Sequence, residues 1–134
     1  FYSLQTRERV ASTNDEAKRL AAAGAPEGAL VWAWQQTAGR GRHGREWISE
    51  PGNLFCSLVL RPECDALTAS QLSFLTAVAV REALGKCAAA AGPYCTKWPN
   101  DVLINGKKTA GILSESRING LSVGRVRPYP CDHR

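Results

Sequence analysis

Between Gln36 and Trp47 the chain reads Gln-Thr-Ala-Gly-Arg-Gly-Arg-His-Gly-Arg-Glu-Trp, with three glycines interleaved with three arginines. Glycine lets a backbone take positive φ and come close to a ligand. Successive N–H groups can form a concavity for an anion, and each guanidinium adds a rigid fork of donors suited to phosphate or carboxylate. The chemistry indicated is capture of a negatively charged ligand. Arg-Gly tracts also bind single-stranded nucleic acid as flexible arms, and basic loops are often simply solvated, so the loop alone leaves its ligand open.

Three further clusters could share that task. Ser12-Thr13-Asn14 has the residue types of a helix cap, and a helix N-terminus also presents free N–H groups, hydroxyls and an amide to a polar ligand. Lys97-Trp98-Pro99-Asn100-Asp101 puts a lysine, an amide and a carboxylate within five residues, enough to serve a nucleotide and its Mg²⁺ or to make a plain strand-to-turn junction. Lys108 follows an Asn-Gly turn, where lysines usually guard a sheet edge, and Gly111 lies three residues beyond it. Other constellations are excluded. His43 and His133 are the only histidines, which leaves no histidine-based triad, and neither a Gly-x-x-x-x-Gly-Lys-Ser/Thr loop nor a dinucleotide-binding glycine triplet occurs.

The elements that must hold these clusters are legible in outline. Asp15 to Ala23 is an alanine-rich helix with carboxylates in its first turn, closed by Gly24. Ala29–Gln35 is apolar over strand length and leads directly into the glycine-arginine loop; Leu54–Leu60 is a second buried-type strand, stopped by Arg61-Pro62. From about Thr68 to Ala91, Leu72, Leu75, Ala79 and Ala83, with Phe74 and Val78 beside them, repeat at helical spacing and predict the core face of a main helix. Tyr94–Trp98 and Val102–Ile104 read as strands. Asn105-Gly106 is a two-residue hairpin signal that should return Lys107–Glu115 antiparallel. Asn119-Gly120 repeats the device before a strand opening at Leu121. Hairpin-paired strands with grouped helices predict an α+β domain, a mixed, mostly antiparallel sheet with helices packed on one face.

Composition sets the outer bounds. A length of 134 residues with 44% hydrophobic content suits one globular domain. No apolar run approaches a membrane span, and charged residues near the start argue against a signal peptide, so a cytoplasmic location and no membrane partner are expected. Cys56, Cys64, Cys87, Cys95 and Cys131 are odd in number and lack a Cys-x-x-Cys pair, which predicts reduced thiols, several of them in the core, and no structural metal. The chain has no methionine, and Arg117, Arg125, Arg127 and Arg134 place much of its net charge of +5 near the C-terminus. Both features predict a piece of a longer product, with residues 1–123 a partial catalytic domain and 124–134 an unrelated, disordered tail.

Taken together, Ser12-Thr13-Asn14, the Gly-Arg-Gly-Arg-x-Gly-Arg-x-Trp loop, Lys-Trp-Pro-Asn-Asp and Lys108-x-x-Gly-Ile-Leu resemble, in order and spacing, the catalytic domain of the biotin protein ligases. The resemblance implies a class II synthetase-like fold and an ATP-dependent biotin–[acetyl-CoA-carboxylase] ligase, which adenylates biotin and passes it to a lysine of a biotin carboxyl carrier domain. Biotin, ATP and Mg²⁺ would be its small-molecule partners. It also implies Lys108 and Arg40 as catalytic residues, and Ser12, Thr13, Asn14, Gln36, Gly39, Arg40, Gly41, Arg42, Lys108, Gly111 and Leu113 as the biotin site. Arg45, Trp47, Asn100 and Asp101 fall on the ATP and metal side, with Trp47 packed under the loop. Family members carry further strands and a C-terminal barrel that this chain lacks, and some carry a DNA-binding winged helix; no DNA partner is expected here, and exposed strand edges could make a homodimer. The alternatives are a lipoate–protein ligase, or a nucleic-acid-binding module that stacks bases on Trp32, Trp34 and Trp47.

Overall fold

The alanine-rich segment forms α1 (Thr13–Ala22), and Gly24 follows at φ +88°, the left-handed geometry common just beyond a helix end. Its small side chains let it lie close to the sheet: Ala17 and Ala21 pack on Ala29 and Val31 of β2 (Ala29–Gln36) and on Val59 of β3 (Phe55–Leu60). A computed structural model describes residues 1–87, 92–117 and 121–128, residue 117 and the last stretch as backbone alone.

Six further strands complete the sheet. β1 (Ser3–Val10) runs parallel to β2, with Ser3 opposite Ala29 and Val10 opposite Gln36; it buries none of its side chains, so no apolar alternation marked it in the sequence. β4 (Tyr94–Lys97), β5 (Asp101–Ile104) and β6 (Lys107–Ile112) form an antiparallel meander. Asn105 and Gly106 turn the β5–β6 hairpin with φ +51° and +74°, the positive pair that a type I′ turn demands. β7 (Glu115–Arg117) and β8 (Leu121–Pro128) follow, in the spatial order β1-β2-β3-β8-β6-β5-β4 with β7 also on β8. The expected return strand from Lys107 is thus broken at Leu113-Ser114, and its two halves share one edge of β8.

Three expectations are corrected. The last strand continues past Val123 to Pro128, because β8 fills the gap between β3 and β6 and pairs with both; Asn119-Gly120 and residues 129–134 lie outside the described residues. The long helix is two, α2 (Ala66–Ser70) and α3 (Leu72–Cys87), and the face of α3 that packs is Ala77 with Val80 and Leu84, against Val102, Ala110 and Ile112. Phe74, Leu75 and Val78 point outward at 39%, 64% and 43% exposure. All its faces are apolar enough that periodicity alone did not single out the packed one.

The register, finally, sets α1 and α3 on opposite faces of the sheet, where the sequence predicted helices on one face. Ile112 lies opposite Val126, Val126 opposite Cys56, and Cys56 opposite Trp32, so α3 packs on the side of Trp32 while α1 packs on the side of Val31, Ser57 and Val59. The four described cysteines are free thiols and none is buried, Cys56 being half-buried and the others exposed. No helix among the described residues is long and apolar enough to cross a membrane.

Candidate functional site

The glycine-arginine segment is an ordered hairpin. Thr37 N–H donates to Val10 O (2.9 Å) and Ala38 N–H to Ala11 O (2.8 Å), fixing where the segment leaves β2. Gly41 N–H donates to Arg45 O at 2.8 Å, Trp47 N–H to Gly39 O at 2.9 Å, and Arg40 bridges Glu46. The tip turns at His43 and Gly44, both at positive φ. Trp47 lies beneath. A Cβ built on Gly41 would sit 3.5 Å from the Trp47 ring, and one built on Gly111 would sit 2.9 Å from its far edge. These glycines therefore let a large aromatic wedge itself between the loop and β6.

The wedge shapes a cleft of about 430 Å³ lined by Arg40, Gly41, Arg42, Arg45, Trp47, Asn100, Asp101, Lys108, Gly111 and Leu113, with His43, Glu46 and Ile112. Residues as far apart in sequence as Arg40 and Lys108 converge on it. Lys108 Nζ lies 5.1 Å from the centre of the Trp47 ring, within range of a cation–π attraction. It also makes an ion contact with Asp101 Oδ1 at 2.8 Å, although that buried oxygen has no aligned hydrogen-bond donor. Asn100 is tied to β6: its side-chain amide donates to Ile112 O, and Ile112 N–H donates to its carbonyl, both at 2.8 Å.

Arg40 is engaged by a bidentate pair with Asp15 in the first turn of α1. The hydrogen bond it donates to Asp15, followed after the opposing effect of burial by the charges of Asp15 and Glu115, raises the Arg40 pKa further. The cationic loop is thereby held against the helix N-terminus.

Beside the cleft lies a buried polar wall. Ser12, Thr13, Asn14, Gln36 and Ser57 are 4% exposed or less. Gln36 Oε1 accepts from the Thr13 N–H (2.9 Å) and hydroxyl (3.1 Å), while its Nε2 donates to Ser49 Oγ (3.0 Å), which donates to Trp47 O (2.9 Å). Ser57 Oγ lies 2.5 Å from Asn14 Oδ1 and 2.9 Å from Thr13 Oγ1. Asn14 Nδ2 donates to Glu115, which is also paired with Lys18 at 2.8 Å. Burial alone would raise the Glu115 pKa, but hydrogen bonds from Lys18 and Asn14 and the charges of Lys18 and Arg40 together bring it below its ordinary value. One member stands apart: Ser12 occupies the helix N-cap yet makes no capping bond, and its buried Oγ has no partner among the described residues.

Of the site residues the sequence singles out, the structure brings Ser12, Thr13, Asn14 and Gln36 together in the wall and the others to the cleft, apart from Gly39, the acceptor that seats Trp47. Ser49, Ser57 and Glu115 join the wall without having been singled out in the sequence. A serine in the apolar run Phe55–Leu60 was the available signal for Ser57, since a polar residue on a buried strand face needs a partner. Trp32 and Trp34 pack on each other at 4.9 Å between ring centres, and the register sets Trp32 on the face opposite Ser57. They cannot form a stacking platform with Trp47. Among the described residues no group of three or more His, Cys, Asp or Glu could hold a metal ion, and the cleft carboxylate Asp101 is already engaged by Lys108. The residues present do not form a metal cage.

A sequence profile described as the biotin/lipoate A/B protein ligase family matches residues 6–126. Over 118 residues the chain is 52% identical to the biotin–[acetyl-CoA-carboxylase] ligase of Paracoccus denitrificans, a match covering 88% of this chain and 49% of that protein. The biotin protein ligase of Leishmania major, solved in complex with biotinyl-5-AMP, superposes with a TM-score of 0.84 at 30% identity over 96% of this chain and 57% of its own. The enzyme from Aquifex aeolicus, solved with biotin and ATP, gives 0.82 at 32% identity over 100% of this chain and 55% of its own. The chain thus spans about half the length of the curated relative and little more of the solved ones.

Proposed function

The chain belongs to the biotin/lipoate A/B protein ligase family, and from that membership we propose that its cleft brings the carboxylate of biotin together with the α-phosphate of ATP. A carboxylate oxygen attacks the α-phosphorus and pyrophosphate leaves, giving a mixed anhydride. The neutral amine of a lysine on a carrier domain of a biotin-dependent carboxylase then attacks the acyl carbon, AMP leaves, and the amine loses its proton to solvent. The observation that carries this reading is the convergence of Lys108, Arg40 and Arg42 on one cleft behind Gly111.

Two anions must meet for the first step, so fixed cations that offset their repulsion and the charge growing on the α-phosphate lower its barrier. Lys108 is the best placed, because Trp47 and Asp101 hold its ammonium at the cleft wall. Arg40 and Arg42 line the same cleft, and Leu113 offers it an apolar side chain. In this reading Mg²⁺ arrives with the nucleotide phosphates and is not held by a protein cage; Asp101 and Glu46 are carboxylates that line the cleft.

The buried wall favours biotin over lipoate. Ser12 Oγ is a buried hydroxyl lacking a partner among the described residues, a costly state that a ureido group relieves with its N–H and C=O and a dithiolane ring does not. Asn14, spent on Ser57 and Glu115, braces that wall. Calorimetric titration tests the reading: biotin should bind without ATP, an equal concentration of lipoate should leave it bound, and Arg40→Ala with Arg42→Ala should weaken it. Displacement by lipoate, or affinity indifferent to both arginines, would overturn it.

A further inference from the structure

On the reading that the cleft takes biotin, we propose that Glu115 is a positioning residue for the vitamin's polar head, acting through Asn14 and Ser57 without touching the ligand. Glu115 lies just past the break in the β6–β7 strand, and β7 pairing brings it opposite Val123 and so to the sheet face that carries Val59 and α1. There its carboxylate accepts from Asn14 Nδ2 and from Lys18 Nζ. Those contacts tie the far end of the sheet to the first turn of the helix that carries Ser12.

The carboxylate determines which way the buried chain of hydrogen bonds points. An ionised carboxylate only accepts, so Asn14 must turn its amide nitrogen toward Glu115 and its oxygen toward Ser57. That oxygen also only accepts, so the single proton of Ser57 is directed to it at 2.5 Å. Thr13 closes the chain, within reach of both Ser57 Oγ and Gln36 Oε1. At the other end, the Thr13 N–H fixes Gln36 with its oxygen inward and its amide nitrogen on Ser49. The hydroxyls of Thr13, Ser49 and Ser57 are thereby engaged within the wall, and that of Ser12, without a partner among the described residues, is left over for a ligand. A wall with its polarity unset would let Asn14 flip and Ser57 and Thr13 exchange donors, which spoils the fixed complementarity that a buried polar network supplies.

Glutamine at position 115 is the sharp probe. Its nitrogen would face either the Asn14 amide or the Lys18 ammonium, donor against donor. Adding Asn14→Asp reverses the bond: the new amide donates to the new carboxylate, its oxygen accepts from Lys18, and Ser57 still donates to position 14. The full chain is titrated with biotin by calorimetry, and each variant is melted in parallel. Glu115→Gln should bind biotin about tenfold more weakly, the Asn14→Asp/Glu115→Gln double variant should return to within about threefold of the parent, and Lys18→Gln, which removes the ion pair alone, should bind like the parent.

Unchanged affinity in Glu115→Gln, no recovery in the double variant, or an equal loss in Lys18→Gln would each overturn the proposal. Should Glu115→Gln fail to fold, the double variant decides by the same threefold criterion. A parent that binds no biotin defeats the functional reading and this inference with it, whereas a parent that binds alongside indifferent variants defeats the inference alone.

Discussion

Gly111→Ala adds one carbon where Trp47 leaves no space for it. The new Cβ would lie 2.9 Å from Trp47 Cη2 and 3.3 Å from Lys108 Cε, whereas ordinary contact begins at 3.4 Å, so the ring edge must retreat by about half an ångström. It has little room to do so. Trp47 is pinned at its backbone to Gly39 O at 2.9 Å, and on the loop side its ring already meets the Gly41 position at 3.5 Å. Retreat therefore pushes the arginine hairpin, draws the ring from under Lys108, or both. Overpacking of this kind typically costs about 1–3 kcal/mol, which is roughly five- to 150-fold in the equilibrium it opposes. The expected outcome is a melting midpoint lower by several degrees and weaker biotin binding, read by thermal melts and calorimetry. Gly85→Ala is the matched control, since a Cβ there meets nothing within 4 Å and the site is inside α3; exchanging glycine for alanine in a helix should stabilise by about 0.5–1 kcal/mol. If Gly111→Ala melted and bound like the parent, the account of Trp47 as the wedge that shapes the cleft would be refuted.

Two further outcomes follow. Glu115 has a lowered pKa in the fold, so it contributes stability that is present above its unfolded value and lost as pH falls through the folded one; the melting midpoint should drop on acidification below the ordinary carboxylate range, and Glu115→Gln should flatten that drop. Asp15→Asn removes the carboxylate that holds Arg40. The pair is largely exposed and so worth under about 1 kcal/mol, which predicts a nearly unchanged melt but faster tryptic cleavage at Arg40, Arg42 and Arg45; an unchanged cleavage rate would show that the backbone bonds alone order the loop.

What could be read in the sequence was what local chemistry encodes. Asn105-Gly106, the alanine-rich α1 and the loop at the end of β2 each announce themselves within a few residues, and the four clusters of the site lie in the segments that announce themselves. What could not be read depends on partners distant in the chain. β1 has no buried side chain to give it a period, and β8 is a strand because β3 and β6 need a neighbour. α3 is apolar on several sides, so the face chosen by Val102 and Ile112 was beyond local inference. Ser57 and Glu115 matter through Asn14, from which they are separated by 43 and 101 positions. No spacing rule reaches that far.

In the proposed reaction, cations from separate segments converge on the carboxylate of the bound vitamin. Comparing the affinities of biotin and its neutral methyl ester, in the parent and in Lys108→Gln, addresses it most directly. A charge-assisted bond is worth about 1.5–3 kcal/mol, so the parent should prefer the acid by about tenfold or more, and in Lys108→Gln the preference should shrink to about threefold or less. A parent that binds acid and ester alike, or a variant that keeps the full preference, would contradict the claim.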